Sequence, residues 1–288
     1  MAVSARSTGD LPPLVIEPSH GLGALRLAEL WTYRELLYFL VWRDLKVRYK
    51  QTVLGAAWAI LQPLATAVVF TFFFGRIAKI PSDGVPYPLF AYCGLLAWTF
   101  FAQGVTASSI SLVGSANLIT KVYFPRLVVP ISAVLSGVVD LAVAFPLLLV
   151  MMTFYGVWPG PAVALLPLIV LLALVAALGV GLWLSAICVQ FRDVRHAVPF
   201  LVQLWLFVTP VIYPASKVEP TLSRFGLPTW VLGINPMAGV VEGFRAVLLG
   251  TGAHTGALIA ASSVAALLLL TSATFYFRNA ERVFADVV

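Results

Sequence analysis

Charge is what this 288-residue chain has least of: 10% of its residues are Asp, Glu, Lys or Arg, against 61% hydrophobic. Soluble domains carry about 25% charged residues, so an ordinary water-facing surface is excluded and an integral membrane protein is implied. Only two cysteines are present, Cys93 and Cys188, in different parts of one long uncharged landscape, which excludes a disulfide framework. The three histidines, His20, His196 and His254, are too scattered for a metal-ligand set. There is no Gly-Lys dipeptide, so the phosphate-cradling loop G-x-x-x-x-G-K-[ST] is missing and the chain cannot hold ATP in that way. A nucleophile elbow, a zinc-helix motif and a carboxylate pair for glycoside cleavage are missing too, which disfavours an intramembrane enzyme. Residues 1–23 hold three prolines and two acids without an apolar core, unlike a cleavable signal, and residues 1–27 read as a disordered cytoplasmic tail.

What is present is apolar length. Runs free of Asp, Glu, Lys and Arg cover residues 51–75, 84–120, 141–191, 197–216 and 246–277, and about 20 apolar residues suffice to cross a bilayer. The run from Leu141 is too long for one crossing and is broken at Trp158-Pro159-Gly160-Pro161, where two prolines and a glycine favour a turn. Its first part completes a span that begins near Leu127, and its second part is another. The expectation is an all-α integral membrane protein with six spans.

Six spans place both termini on one side of the membrane. Arg76, Lys79, Lys217, Arg224 and Arg245 then lie opposite, leaving 13 of the 18 Lys and Arg residues on the side of the termini. Short cytoplasmic loops are enriched in Lys and Arg, so both termini are expected in the cytoplasm. The net charge of +6 is a topology signal on this reading, and no nucleic-acid partner is expected. Two charged islands, residues 121–126 and 192–196, interrupt the apolar runs on that side. They offer places where a separate engine can grip the protein; as plain positive-inside loops they would fix topology only.

Residues 28–50 are too charged to span. At the helical period Trp31, Leu37, Tyr38, Val41, Trp42, Leu45 and Tyr49 share one arc, with Glu29, Arg43 and Lys50 roughly opposite, as expected of an amphipathic helix on the cytoplasmic leaflet. Asp140 is the one acid deep inside a span. Ser136 and Ser132 lie one and two turns before it, so a locally hydrogen-bonded, structural aspartate is expected; a proton relay would need further ionisable groups. Ala173, Ala177 and Gly181 recur every four residues and favour close helix packing within one subunit.

Between the fifth and sixth spans, residues 230–234 and 237–249 are apolar, shorter than a span and separated by Asn235-Pro236. They fit a re-entrant helical pair or a small extracellular cap. Within the second segment Glu242 and Arg245 are spaced to pair on one helix face. Trp58, Phe70 and Trp205 stand out among the aromatics of the first and fifth spans. Such rings serve either as lipid-facing anchors or as a surface over which sugar rings slide.

Several motifs together carry a resemblance. RDLKVRYKQTVLGAAWAILQP at residues 43–63, NLITKVYFPRLVVPIS at 117–132, FRDVRHAVPF and TPVIYP within 178–214, and Asn235-Pro236-Met237 followed by Glu242-Gly243-Phe244-Arg245 are in order and suitably spaced. The chain resembles, over residues 30–283, the permease subunits of type-2 ABC exporters for polysaccharides and polyol phosphates, the O-antigen, capsule or teichoic acid type. That resemblance implies a transmembrane domain at residues 28–283, a cytoplasmic end at 284–288, and a homodimer working with two cytoplasmic nucleotide-binding subunits. Those subunits would hold ATP and Mg, with no cofactor in this chain. The cargo implied is a lipid-linked glycan, moved outward across the bacterial inner membrane. It further implies coupling roles for Asn117 and Lys121 in one island and Arg192, Asp193, Arg195 and His196 in the other. Residues 28–50 become the interface helix, and Asn235, Pro236, Glu242 and Arg245 belong to the gate helices. Export of a small lipid or drug is the alternative within the family. A secondary transporter would need internal repeats and more intramembrane charge than this chain has.

Overall fold

The computed structural model describes residues 31–287 except 51, 53, 123, 192 and 252–254; the expected tail 1–27 and Arg192 lie outside the described residues. Every regular element among the described residues is helical. In lipid the backbone has no water to bond, so an uncharged chain of this length satisfies its N–H and C=O groups within helices. The order is α1 (Arg34–Tyr49), α2 (Ala57–Phe70), α3 (Tyr87–Gly114), α4 (Ala116–Lys121), α5 (Val128–Phe154), α6 (Leu166–Gln190), α7 (Val194–Val208), α8 (Glu219–Arg224), α9 (Pro236–Leu249) and α10 (Thr255–Val287). Short 3-10 turns, Pro161–Leu165 and Thr229–Ile234, precede α6 and α9, and α2 runs on into a π-helical stretch, Thr71–Ile77.

Among the described residues five helical stretches are long and apolar enough to cross a membrane: Ala57–Ile77, Tyr87–Gly114, Val128–Phe154, Pro161–Gln190 and Thr255–Glu281. The run expected to give another, residues 197–216, forms α7, which is only 15 residues long. Its helix stops at Thr209, whose ψ is 141°. Pro210 cannot donate to the helical ladder and drives the residue before it into extended backbone. Counting uncharged residues therefore overestimates the helix, because proline is uncharged too.

α3 is the central element and packs against α5, α6, α9 and α2. α6 is approached from two sides. A Cβ on Gly104 of α3 would lie 3.8 Å from Ala177, and one on Gly181 would lie 2.7 Å from Ser108 Oγ. The small stripe Ala173, Ala177, Gly181 therefore seats α3 inside the subunit, and all three residues are buried. On its other side Gly179 meets the backbone of α10. The main apolar core joins α3, α5, α6, α7 and α9. A second core gathers the end of α3, α4, the start of α5, and the ends of α6 and α10 around Leu40 of α1.

Candidate functional site

The second core marks one end of the bundle, and both charged islands emerge there. In α4, Ile119 anchors the turn inward while Asn117, Thr120 and Lys121 face outward. Asp193 ends the short connection from α6, and Arg195 and His196 open α7; all three are exposed, with Arg195 Nε donating to His196 Nε2 at 3.2 Å. Beside them, Arg126 donates to the Glu281 carbonyl at 2.5 Å, tying the loop after α4 to the last turns of α10. Of the six residues expected to couple the chain to a partner, five are thus displayed on one end, and Arg192 lies outside the described residues.

α1 reaches this end as well, and the arc that its periodicity singles out is divided between the outside and the protein, Leu37 packing on the second core. Trp31, Tyr38 and Trp42 of the apolar arc are 72%, 72% and 49% exposed, whereas Leu40 is buried in the second core. The flank holding Leu40, Asp44 and Arg48 packs along α5. Exposed Trp31, Tyr38 and Trp42 on one side, and Leu36, Leu37 and Leu40 with Arg48 on the other, suit a helix that meets lipid on one side and protein on the other.

The partners of Asp140 correct the local account of that residue. Ser132 and Ser136 turn their hydroxyls onto their own helix, donating to Val129 and Ala133 carbonyls at 2.8 Å each. The carboxylate instead receives Arg48 Nη1 and the Tyr49 hydroxyl, both from α1, while Arg48 Nη2 reaches Ser136 Oγ at 3.2 Å. Burial, reinforced by the neighbouring carboxylate, pushes the Tyr49 hydroxyl up to about 12, so it keeps the proton that it donates. Sequence spacing could not reveal this pairing, because the partners lie 92 and 91 residues apart.

A third polar cluster lies where α9 meets α3 and the turn after α7. Arg245 and Glu242 are both buried, and Nη1 donates to Glu242 Oε1 at 3.1 Å, as the i, i+3 spacing predicts. The guanidinium also donates to the carbonyls of Pro210 and Val211 at 2.6 and 2.5 Å, and lies 3.5 Å above the Phe90 ring. Glu242 Oε1 in turn accepts from the Ala215 backbone N–H at 3.0 Å. Two carbonyls of the turn that follows α7 are thereby satisfied by one side chain of α9.

Asn235 and Pro236 start that helix. Asn235 Oδ1 caps it by accepting from Met237 N at 3.1 Å, and Pro236 occupies a first-turn position where no donor is needed. Asn235 Nδ2 donates to Thr209 Oγ1 at 2.9 Å.

The three aromatics singled out in the sequence are not brought together. Trp58 is 55% exposed on α2. Phe70 is half-buried, edge-on to Phe74 with centroids 5.3 Å apart. Trp205 is half-buried against Phe101 and donates from Nε1 to Asn235 Oδ1 at 3.2 Å.

An apolar helical bundle with exposed charged segments at one end and a buried ion pair sealed elsewhere has the build of a membrane transport subunit. No group of three or more His, Cys, Asp or Glu suited to a metal occurs among the described residues. The ABC-2 type transporter family matches residues 35–249, and the chain belongs to that family. It is 33% identical over 261 residues to the O-antigen export system permease protein RfbA of Myxococcus xanthus, covering 90% of this chain and 98% of that protein. A Klebsiella pneumoniae protein of the same name is 30% identical over 212 residues, 73% of this chain and 79% of its own length. The polysialic acid transport protein KpsM of Escherichia coli is 24% identical over 205 residues, 69% and 76% of the two chains. A member of this family is a transporter rather than an enzyme, and works with a partner ATPase.

Proposed function

We propose that the chain is the transmembrane subunit of an ATP-driven exporter that moves a lipid-linked polysaccharide out of the cytoplasm across the bacterial inner membrane. The observation that carries the reading is the near end-to-end similarity to an O-antigen export permease, supported by exposed charged elements at one end of the bundle. Two copies form the pathway, and two nucleotide-binding subunits supply ATP and Mg from the cytoplasm. α7 together with the turn after it serves as the remaining crossing, which gives six spans and leaves both termini cytoplasmic. The segments around Thr229–Ile234 and α9 form the outer gate, anchored by Asn235, Pro236, Glu242 and Arg245. No bond is made or broken in this chain: nucleotide binding favours one of two packings of the dimer, and the cargo passes as they interchange. Disrupting the gene should remove surface glycan and accumulate the lipid-linked precursor inside. Normal surface glycan in that strain would refute the reading.

Asn117 and Lys121 on α4, with Asp193, Arg195 and His196 at the start of α7, are the contacts for the ATPase, and Arg192 belongs to the same set. The side chains of Asn117, Lys121, Asp193, Arg195 and His196 are exposed and support no core, so charge reversal at Asp193 or Arg195 should leave insertion intact. Export should fall at least tenfold while the ATPase still hydrolyses ATP. Wild-type export per inserted permease in both variants would remove the coupling assignment.

Trp58, Phe70 and Trp205 supply aromatic surface to the pathway, Trp58 most directly because it is the most exposed of the three. Trp58→Leu should slow polymer export severalfold without changing the amount of folded protein. A lipid-facing ring would be replaced by leucine at little cost, so unchanged surface glycan would return Trp58 to the lipid belt.

A further inference from the structure

The contacts between α1 and α5 form a ladder in helical register. Asp44 and Arg48 are four residues apart on α1, and Ser132, Ser136 and Asp140 are four apart on α5, so each set makes one stripe on its helix. The rungs join Arg48 to Ser136 at 3.2 Å, and Arg48 with Tyr49 to Asp140, while the Asp44 carboxylate lies beside Ser132 Oγ at 3.5 Å, whose proton goes to the Val129 carbonyl. Numbers rise together along both helices, so α1 and α5 run parallel. Leu40 and Val128, one turn before Asp44 and Ser132, are buried in the same apolar cluster.

This ladder resists sliding. A slip of α1 by one turn toward the start of α5 would bring Arg48 to Ser132 and Ser136 and leave the carboxylate of Asp140, 7% exposed, without a cation. Breaking a buried pair in that manner is strongly unfavourable. The outward face of α1 is apolar and exposed, and apolar contact with lipid is non-directional, so it fixes no register of its own. Asp140 also borders a small cavity shared with Pro63 of α2 and with Thr99 and Gln103 of α3. α2 follows α1 directly in the chain and is the most exposed of the five long helices, with an internal proline and a π-helical end. It is the helix with least packing to hold its tilt.

We infer that the Arg48–Asp140 pair, with Tyr49, is the joint that carries motion of α1 into the membrane bundle. A displacement imposed on α1 by the ATPase moves α5 as one body with it and re-tilts α2 about the Pro63 region. Arg48, Tyr49 and Asp140 are positioning residues that touch neither nucleotide nor cargo. The inference rests on the exporter reading above, and the wild-type control separates the two: a wild-type permease that exports no glycan with its ATPase refutes that reading and leaves the joint aside.

The test uses the full permease with its nucleotide-binding subunit, measuring insertion, ATPase association, ATP hydrolysis and glycan exported per ATP. Arg48→Met and Asp140→Asn should insert and hydrolyse ATP at more than half the wild-type rate, while glycan per ATP falls about tenfold. A cysteine pair at Asp44 and Ser132, added to the Asp140→Asn variant, should restore coupling when oxidised and lose it again on reduction. A residue needed only for folding would not give uncoupled but assembled protein that recouples through a reversible cross-link. Wild-type glycan per ATP in both single variants overturns the inference, as does a fully formed cross-link that restores nothing. If the neutral variants fail to insert, the charge-exchanged variant Arg48→Asp/Asp140→Arg decides: inserted and coupled supports the joint, inserted and uncoupled overturns it.

Discussion

Arg245→Met should leave the transporter barely stable in detergent, with a loss of about 3–5 kcal/mol, the range for breaking one side of a buried ion pair. Arg245 is 0% exposed and holds four things together at once: Glu242, the carbonyls of Pro210 and Val211, and the face of Phe90. Methionine fills much of the volume but donates no hydrogen bond, so two backbone carbonyls lose their donor and the Glu242 carboxylate, left with only the Ala215 N–H, loses its cation in a dry site. The double variant Glu242→Gln/Arg245→Met removes the stranded charge and should recover part of the loss, because an uncompensated buried charge is worse than no pair. A milder probe comes from the opposite wall. A Cβ at Gly94 would lie 2.6 Å from Arg245 Nη2 and 3.3 Å from the Val211 carbonyl, so Gly94→Ala should displace the guanidinium. Thermal unfolding of purified protein by tryptophan fluorescence checks all three. A melting temperature unchanged in Arg245→Met would show that the cluster contributes nothing to the fold.

The parts of the molecule legible in its sequence are those governed by local rules. Charge-free length located five of the long helices, because a bilayer imposes the same length on each. The i, i+3 spacing of Glu242 and Arg245 revealed their pairing, since one helix turn brings such side chains together. The stripe Ala173, Ala177, Gly181 announced a close helix contact for the same reason, although it could not name α3 as the neighbour. Illegible were the partners supplied by the tertiary fold. Asp140 was read with the serines of its own helix, whose hydroxyls are spent on backbone carbonyls one turn back. Its cation comes from α1, four helices earlier in the chain. The period of α1 identified an apolar arc, but Trp31, Tyr38 and Trp42 of it face outward while Leu37 and Tyr49 join Leu40 and Arg48 against the protein, and one helix's periodicity does not say where that division falls. α7 fell short because Pro210 ends a helix without interrupting an uncharged run.

Gly179→Leu should prevent α6 and α10 from docking, since at this position the obstacle is backbone. A Cβ there would lie 2.9 Å from Leu270 N and 3.2 Å from Leu269 C, and main-chain atoms of a long helix cannot turn aside as a side-chain tip can. Alanine already forces the helices apart, and inserting extra methylenes into a packed interior costs about 1–3 kcal/mol; leucine adds three more carbons to the same gap. The damage should spread along the seam, because one turn further Trp183 stacks on Tyr276 with centroids 4.2 Å apart and donates to Ser272 Oγ at 3.1 Å. In the membrane a leucine side chain is no more hydrophobic than its surroundings, so only close packing holds this contact, and a wedge removes it. Gly114→Ala is the matched control: nothing lies within 4 Å of its added Cβ, and alanine is the better helix former. The expected order of melting temperatures is Gly114→Ala at or above wild type, Gly179→Ala several degrees below it, and Gly179→Leu recovered mostly as aggregate. A Gly179→Leu protein as monodisperse and as heat-resistant as wild type would mean that α10 is not held against α6 by this contact.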